Sequence, residues 1–432
     1  MRMVMTRCAQ GTLEGLDERG VLSFLGVPYA TDGGRFKPAG AAKAWEGTRD
    51  ATQVAPVFPQ RVHDFALPGP DGPVPLCQRE DAFVANVWTP ALAGTHPVLL
   101  WIHGGRWAKG SCADPAYSGA TFAASHDVVV VSVNYRLGAL ANLDLPGISE
   151  GNLAVGDLLA ALRWAHANAA AFGGDAANIT LAGQSAGAWY AAVLAGMPQA
   201  DGLFDKLMLM SAPAPAMLTG RDTRKAARLL LEELGIATSP ERIYDIPISR
   251  MLEAQAAIEQ AMGGLGMQFA PIETAELQLG DVYARAAARL GAKPLLNGVT
   301  AQEAAFFLAS RMPAVPLPLY RLVERIGSRV MFAAACDKLA ASCENAYGYR
   351  VQTGSSNKRV QACHCADLPL LFGNFDVWAQ DPLYVGTDMS ALEGPSQAFR
   401  TAVSAFMRTG NPSCGACPDW PVFRNATDRV AF

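Results

Sequence analysis

Charge is scarce in this chain: 17% of its 432 residues are charged, and 39 acids against 35 bases leave a net charge of −4. No basic excess is available to follow a phosphate backbone, and the Lys and Arg residues are scattered. Neither nucleic acid nor an acidic membrane is therefore an expected partner. Also missing is a run of about 18 apolar residues that would span a bilayer. The opening Met1-Arg2-Met3-Val4-Met5-Thr6-Arg7 lacks the apolar stretch of a secretory signal, so cytoplasmic residence is expected. No Ser/Gly-rich or Pro-rich linker and no repeat of about 20–50 residues breaks the sequence, so one domain over 1–432 is expected. Half of the residues are hydrophobic, enough for a substantial core. The nine cysteines are an odd number, which fits a fully paired framework poorly. Cys414-Gly415-Ala416-Cys417 has the spacing of half a zinc site with no second pair nearby, so no metal is expected.

What is present centres on Gly183-Gln184-Ser185-Ala186-Gly187. The apolar run Ile179-Thr180-Leu181-Ala182 before it reads as a buried strand, and Ala188 to Ala195 after it reads as a helix. A strand–turn–helix around G-x-S-x-G is the context of a nucleophile elbow, with Ser185 Oγ exposed at the helix start. Upstream, the strand Val98–Ile102 ends in His103-Gly104-Gly105-Arg106-Trp107, which resembles a loop whose backbone N–H groups bind an oxyanion. Downstream, Pro294–Thr300 reads as a strand that delivers Glu303 just past its end. His364 stands in a loop before Leu368-Pro369-Leu370-Leu371. Ser185, Glu303, His364 is the chain order of nucleophile, acid and base in α/β-hydrolases. Asp367 is a rival acid, but three residues from His364 it is poorly placed to orient that ring from behind.

These segments identify the chain as resembling the type-B carboxylesterases, the group that includes the cholinesterases. Phe24-Leu25-Gly26-Val27-Pro28-Tyr29-Ala30 resembles their FLGIPYA, Arg35-Phe36-Lys37-Pro38 their RFKP, and Asn86-Val87-Trp88-Thr89-Pro90 their NVWTP. Asn134-Tyr135-Arg136-Leu137-Gly138 and Phe172-Gly173-Gly174-Asp175 match NYRLG and FGGD. Glu303 and His364 fall where the family has its acid and base, the latter running into Leu371-Phe372-Gly373. The resemblance implies an α/β-hydrolase fold. In it a mostly parallel central sheet is covered by helices on both faces, with small antiparallel strands at the N-terminus.

It also implies hydrolysis of small-molecule carboxylic esters through an acyl-enzyme, without a cofactor. Ser185 attacks, His364 takes the proton and Glu303 orients the imidazole. Backbone N–H groups of Gly105, Arg106 and Ala186 form the oxyanion hole. Amide or carbamate hydrolysis with the same triad, and non-catalytic binding, are the alternatives. Departures bear on substrate. Arg106 replaces a glycine, so its backbone is expected to be strained and its guanidinium is either an anion contact or a structural ion-pair partner. Gln184 replaces the family's glutamate, which removes a charge beside the base. Phe58 and Ala82 stand where the family has a disulfide, so free thiols are expected. No tryptophan lies between Pro59 and Asp81, where cholinesterases hold choline, so a quaternary-ammonium site is not expected. The 61 positions from Glu303 to His364 imply trimmed helices, an open entrance and bulky esters. Trp107, Trp189 and Tyr190 are candidates for pocket lining or for core packing.

Overall fold

The computed structural model describes residues 2–18, 20–61, 77–218, 222–263, 267–415 and 419–432. The proline-rich stretch Pro59–Asp81 predicts a surface loop and Arg19-Gly20 a turn; most of the first lies outside the described residues, as do Arg19 and Cys417 of the cysteine pair.

Alternation of buried and half-buried residues builds an antiparallel entry to the sheet. β1 (Arg2–Cys8), β2 (Gly11–Glu18) and β3 (Val21–Pro28) pair in sequence, with Cys8 opposite Gly11 across a two-residue turn. β4 (Val84–Thr89) pairs antiparallel to β3. Continuous apolar runs then give strands buried on both faces. They are β5 (His96–Ile102), β6 (Val129–Val133), β7 (Gly174–Gln184), β8 (Lys206–Met210), β9 (Leu295–Thr300) and β10 (Ala346–Val351). A short β11 (Val430–Ala431), not anticipated from the sequence, closes the edge beside β10. The spatial order is β1-β2-β3-β4-β6-β5-β7-β8-β9-β10-β11, and every pairing from β6 to β11 is parallel.

The two faces of β5 show how the layers form. Val98, Leu100 and Ile102 join one core with the helices Leu153–Asn168, Ala186–Ala195 and Val282–Leu290. Leu99 and Trp101 join the other, with Glu393–Thr409 and Leu368–Phe372. That is the period-two pattern of a strand serving two layers. Apolar residues at helical spacing predict a crossover helix over Asn152–Phe172; it runs over Leu153–Asn168, and the last turn, Ala169–Phe172, tightens to a 3-10 helix.

Arg136 of the NYRLG segment is buried against Asp157 of that helix, with Nε and Nη2 reaching the carboxylate at 2.8 and 2.5 Å. Burial raises the Asp157 carboxyl, against the pull of Arg136. The helix-forming sequence from Thr223 to Met262 predicts helices near the mouth of the site, and it forms the helices Thr223–Glu233 and Ile248–Met262. They pack into one cluster, in which Gln255 Oε1 accepts from Ala139 N at 2.9 Å. Their apolar faces find Leu140 and Phe269 there.

Candidate active site

The elbow is strained at its serine. Ser185 has φ 54° and ψ −123°, a region that residues other than glycine rarely adopt, at the cap of the helix Ala186–Ala195. Its backbone is held by Ser185 N donating to Met210 O at 2.9 Å, and by Trp189 N donating to Ser185 O. The flanking glycines supply room rather than unusual angles. A Cβ on Gly187 would lie 2.0 Å from Ile102 O, so only glycine lets the elbow helix sit against β5.

Glu303 and His364 arrive on two loops that are stitched together. Gln302 N donates to Ala362 O at 2.9 Å, and Ala362 N donates to Gln302 Oε1 at 3.1 Å. This brings Glu303 Oε2 to 2.6 Å from His364 Nδ1. Glu303 Oε1 accepts from Thr300 N at 2.7 Å, and the carboxylate is fully buried. The imidazole is held by a cage of three phenylalanines. Phe332 is 4.6 Å away between ring centroids, with Phe307 at 5.7 Å and Phe306 at 5.8 Å. On the far side of the ring Gln184 Nε2 stands 3.2 Å from His364 Nε2 and 3.3 Å from Cys365 Sγ. With the Nδ1 proton directed at Glu303, the Nε2 lone pair faces the Gln184 amide. Among the described hydrogen bonds, none joins Ser185 Oγ to His364 in this arrangement.

Asp367, the rival acid, turns elsewhere. It accepts from the Tyr349 hydroxyl at 3.1 Å, and burial followed by the charge of Glu303 pushes its carboxyl up to about 7. His103 of the oxyanion-type loop is stacked on Tyr135 at 4.4 Å, and burial lowers it to about 4, so it stays neutral.

The loop after β5 passes beside the elbow, since a Cβ on Gly104 would lie 3.2 Å from Ser185 Cβ. Gly105, Arg106 and Trp107 have successive φ values of 119°, 55° and 62°, so Arg106 adopts a glycine-like backbone, as its place in the sequence implied. Ala186 opens the elbow helix, where N–H groups lack intrahelical acceptors.

Ser185, His364, Gly105 and Arg106 line one cleft holding about 1050 Å³ of space, part of it open to solvent. Trp107 and Trp189 do not line it. Both are buried, edge to face at 6.0 Å, because the turn after Arg106 folds the first indole back onto the elbow helix. Tyr190 is core as well, packed on Tyr135 at 5.3 Å. The walls are instead Tyr117, Phe306, Phe307, Trp378 and two carboxylates, Asp114 and Asp381. Burial raises both acids, Asp114 to about 7 with the charge of Asp381 adding to the effect. Their signal was a repeated Asp-Pro, each Asp capping a 3-10 turn.

Comparison with known proteins follows the same outline. The Carboxylesterase family model matches residues 2–326. A Rhodococcus erythropolis protein named "Probable N-octanoylanthranilate hydrolase" is 33% identical over 94% of this chain and 92% of its own. Phenmedipham hydrolase of Pseudarthrobacter oxydans is 30% identical over 96% of this chain and 92% of its own. The solved structure of PNB esterase superposes with a TM-score of 0.84 at 27% identity, covering 96% of this chain and 93% of that one.

Proposed function

The chain belongs to the carboxylesterase family and hydrolyses carboxylic esters, and on that premise we propose that Ser185, His364 and Glu303 are its nucleophile, base and acid. The observation that carries this reading is the 2.6 Å contact between Glu303 and His364, in the same cleft as the strained Ser185. Glu303 keeps the imidazole proton on Nδ1, which leaves Nε2 able to accept. As the Ser185 oxygen bonds to the ester carbonyl carbon, its proton passes to His364 Nε2. The Gln184 amide turns aside at that step, because a protonated Nε2 no longer accepts from it. N–H groups of Gly105, Arg106 and Ala186 take the negative oxygen, each donor of this kind being worth about 3–4 kcal/mol of barrier. Collapse breaks the bond to the alcohol, which leaves with the Nε2 proton. Water then repeats the sequence on the acyl-enzyme.

Bulky and anionic esters form part of the reading. The short segment from Glu303 to His364 supports the first, and Arg106 and Lys109 on the cleft wall support the second. Cleavage of N-acyl bonds is the second reading, favoured by the relative named for N-octanoylanthranilate. Free thiols at Cys363 and Cys365, on either side of the base, support cytoplasmic residence, where they stay reduced. β1 and β11, from opposite ends of the chain, share one sheet, which supports a single domain over 1–432.

The test is turnover of a short chromogenic acyl ester by the wild type beside Ser185→Ala, followed by matched ester and anilide pairs with and without a carboxylate. Turnover that survives Ser185→Ala would remove the proposed nucleophile.

A further inference from the structure

The most unusual surface lies one helix behind the base. Leu319, Leu322, Ile326 and Val330 are 53%, 51%, 57% and 59% exposed. Their spacing of three, four and four puts them on one face, from the helix Leu317–Ser328 into the π-helical turn Arg329–Ala333. Tyr320, Glu324 and Ser328 face inward, so this apolar stripe points to solvent. Arg321, Arg325 and Arg329, all exposed, flank it on one side and share a groove with Arg350. The acids of that groove are already engaged. Glu324 is buried and bonded by the Ser328 hydroxyl, and Asp337 pairs with Arg429 at 2.7 Å. No ion pair to Arg321, Arg325 or Arg329 occurs among the described residues.

We propose that this helix docks the protein on an anionic phospholipid surface, its apolar stripe entering the acyl boundary and its arginines meeting the phosphates. A basic flank beside an apolar stripe is the arrangement that lies in a lipid interface, and guanidinium matches phosphate in a two-pronged contact. A second copy is a poorer occupant. Two such helices packed antiparallel about a two-fold axis bring both arginine rows to the same side, with no acid between them. The net charge of −4 gave no hint of this, because it averages over the whole surface while the patch is local.

The patch is also tied to the site. Ser328 Oγ accepts from Ala304 N at 2.9 Å, next to Glu303, and the π-helical turn places Phe332 against His364. A docked helix therefore lies one turn from the groups that hold the base.

The proposal is tested by sedimenting the full chain with phosphatidylcholine vesicles, with and without phosphatidylglycerol, at low and high salt. The wild type is expected to bind the anionic vesicles at least about tenfold better, and to lose that advantage in high salt. The triple variant R321E/R325E/R329E is expected to lose binding, and L322S/I326S to weaken it about tenfold. Both should hydrolyse a short soluble ester at the wild-type rate, which shows that they fold. Equal binding to both vesicle types, no binding to anionic vesicles at low salt, or wild-type binding by the arginine variant would each overturn the proposal. Self-association of the wild type that L322S/I326S abolishes, without vesicle binding, would assign the face to a second copy. Arginine-dependent capture of polyglutamate in preference to vesicles would assign it to an acidic polypeptide.

Discussion

Replacing Glu303 by Gln tests the orienting role most sharply, because two hydrogen bonds dictate how the new amide must sit. Oε1 of Glu303 accepts from Thr300 N, and Oε2 faces His364 Nδ1. The Thr300 N–H needs an acceptor, so the amide oxygen takes that place and the amide NH₂ turns toward His364. Nδ1 must then become the acceptor, and the imidazole proton moves to Nε2. In that tautomer His364 cannot take the Ser185 proton, and it meets the Gln184 amide donor to donor. The analogous change in other triads costs about 10⁴ in kcat, which corresponds to about 5 kcal/mol of barrier. Folding should suffer little, since both contacts keep a partner. Glu303→Ala, by contrast, leaves the buried Thr300 N–H without one and should lose about 1–3 kcal/mol of stability. The assay is kcat on a chromogenic short-chain ester, with the melting temperature of each variant measured alongside. A loss below about tenfold in Glu303→Gln, with the melting temperature unchanged, would refute the tautomer argument.

Three further outcomes are expected. Arg136→Met strands the buried Asp157 carboxylate and should cost about 3–5 kcal/mol, which for a chain of 432 residues is about 3–6 °C in melting temperature. Adding Asp157→Leu should recover most of that, and a double variant no more stable than the single would count against the pairing. Asp367 has its carboxyl raised to about 7, so its contribution is full at acid pH, below the ordinary value, and is lost as pH climbs toward 7. Asp367→Asn should therefore melt higher than the wild type by about 1–3 kcal/mol near pH 8 and show no advantage near pH 4. A pH-independent difference in thermal melts would contradict the assignment. Arg106→Gly relaxes a backbone at φ 55° and should shift stability by less than about 1 kcal/mol. It should also reduce the kcat/KM preference for carboxylate-bearing over neutral esters, and an unchanged preference would remove Arg106 from substrate recognition.

The elbow was legible because its constraint is local. Gly187 packs at a distance that only glycine permits, and an apolar run on each side sets strand and helix. The central strands were legible for a similar reason, since a strand buried on both faces reads as an unbroken run of Val, Ile and Leu. β11 escaped notice because two residues on an edge carry no periodic signal, and its place depends on β10 lying alongside. The helices Thr223–Glu233 and Ile248–Met262 were recognisable as helices, but the partners they cover were not. Amphipathic spacing says which face is apolar, not what it will cover.

The same division runs through the site. Residue type and order along the chain determined the nucleophile, acid and base candidates, because the chemistry needs those groups on successive loops at the ends of strands. Trp107 and Trp189 show the limit. An aromatic residue beside the oxyanion loop serves lining or core equally well in sequence, and a turn with three positive φ values decided for core. The phenylalanine cage around His364 and the meeting of the carboxylates Asp114 and Asp381 in the cleft are products of tertiary structure alone. Each depends on segments far apart in the chain meeting in space, and distance along a chain carries no information about distance through it.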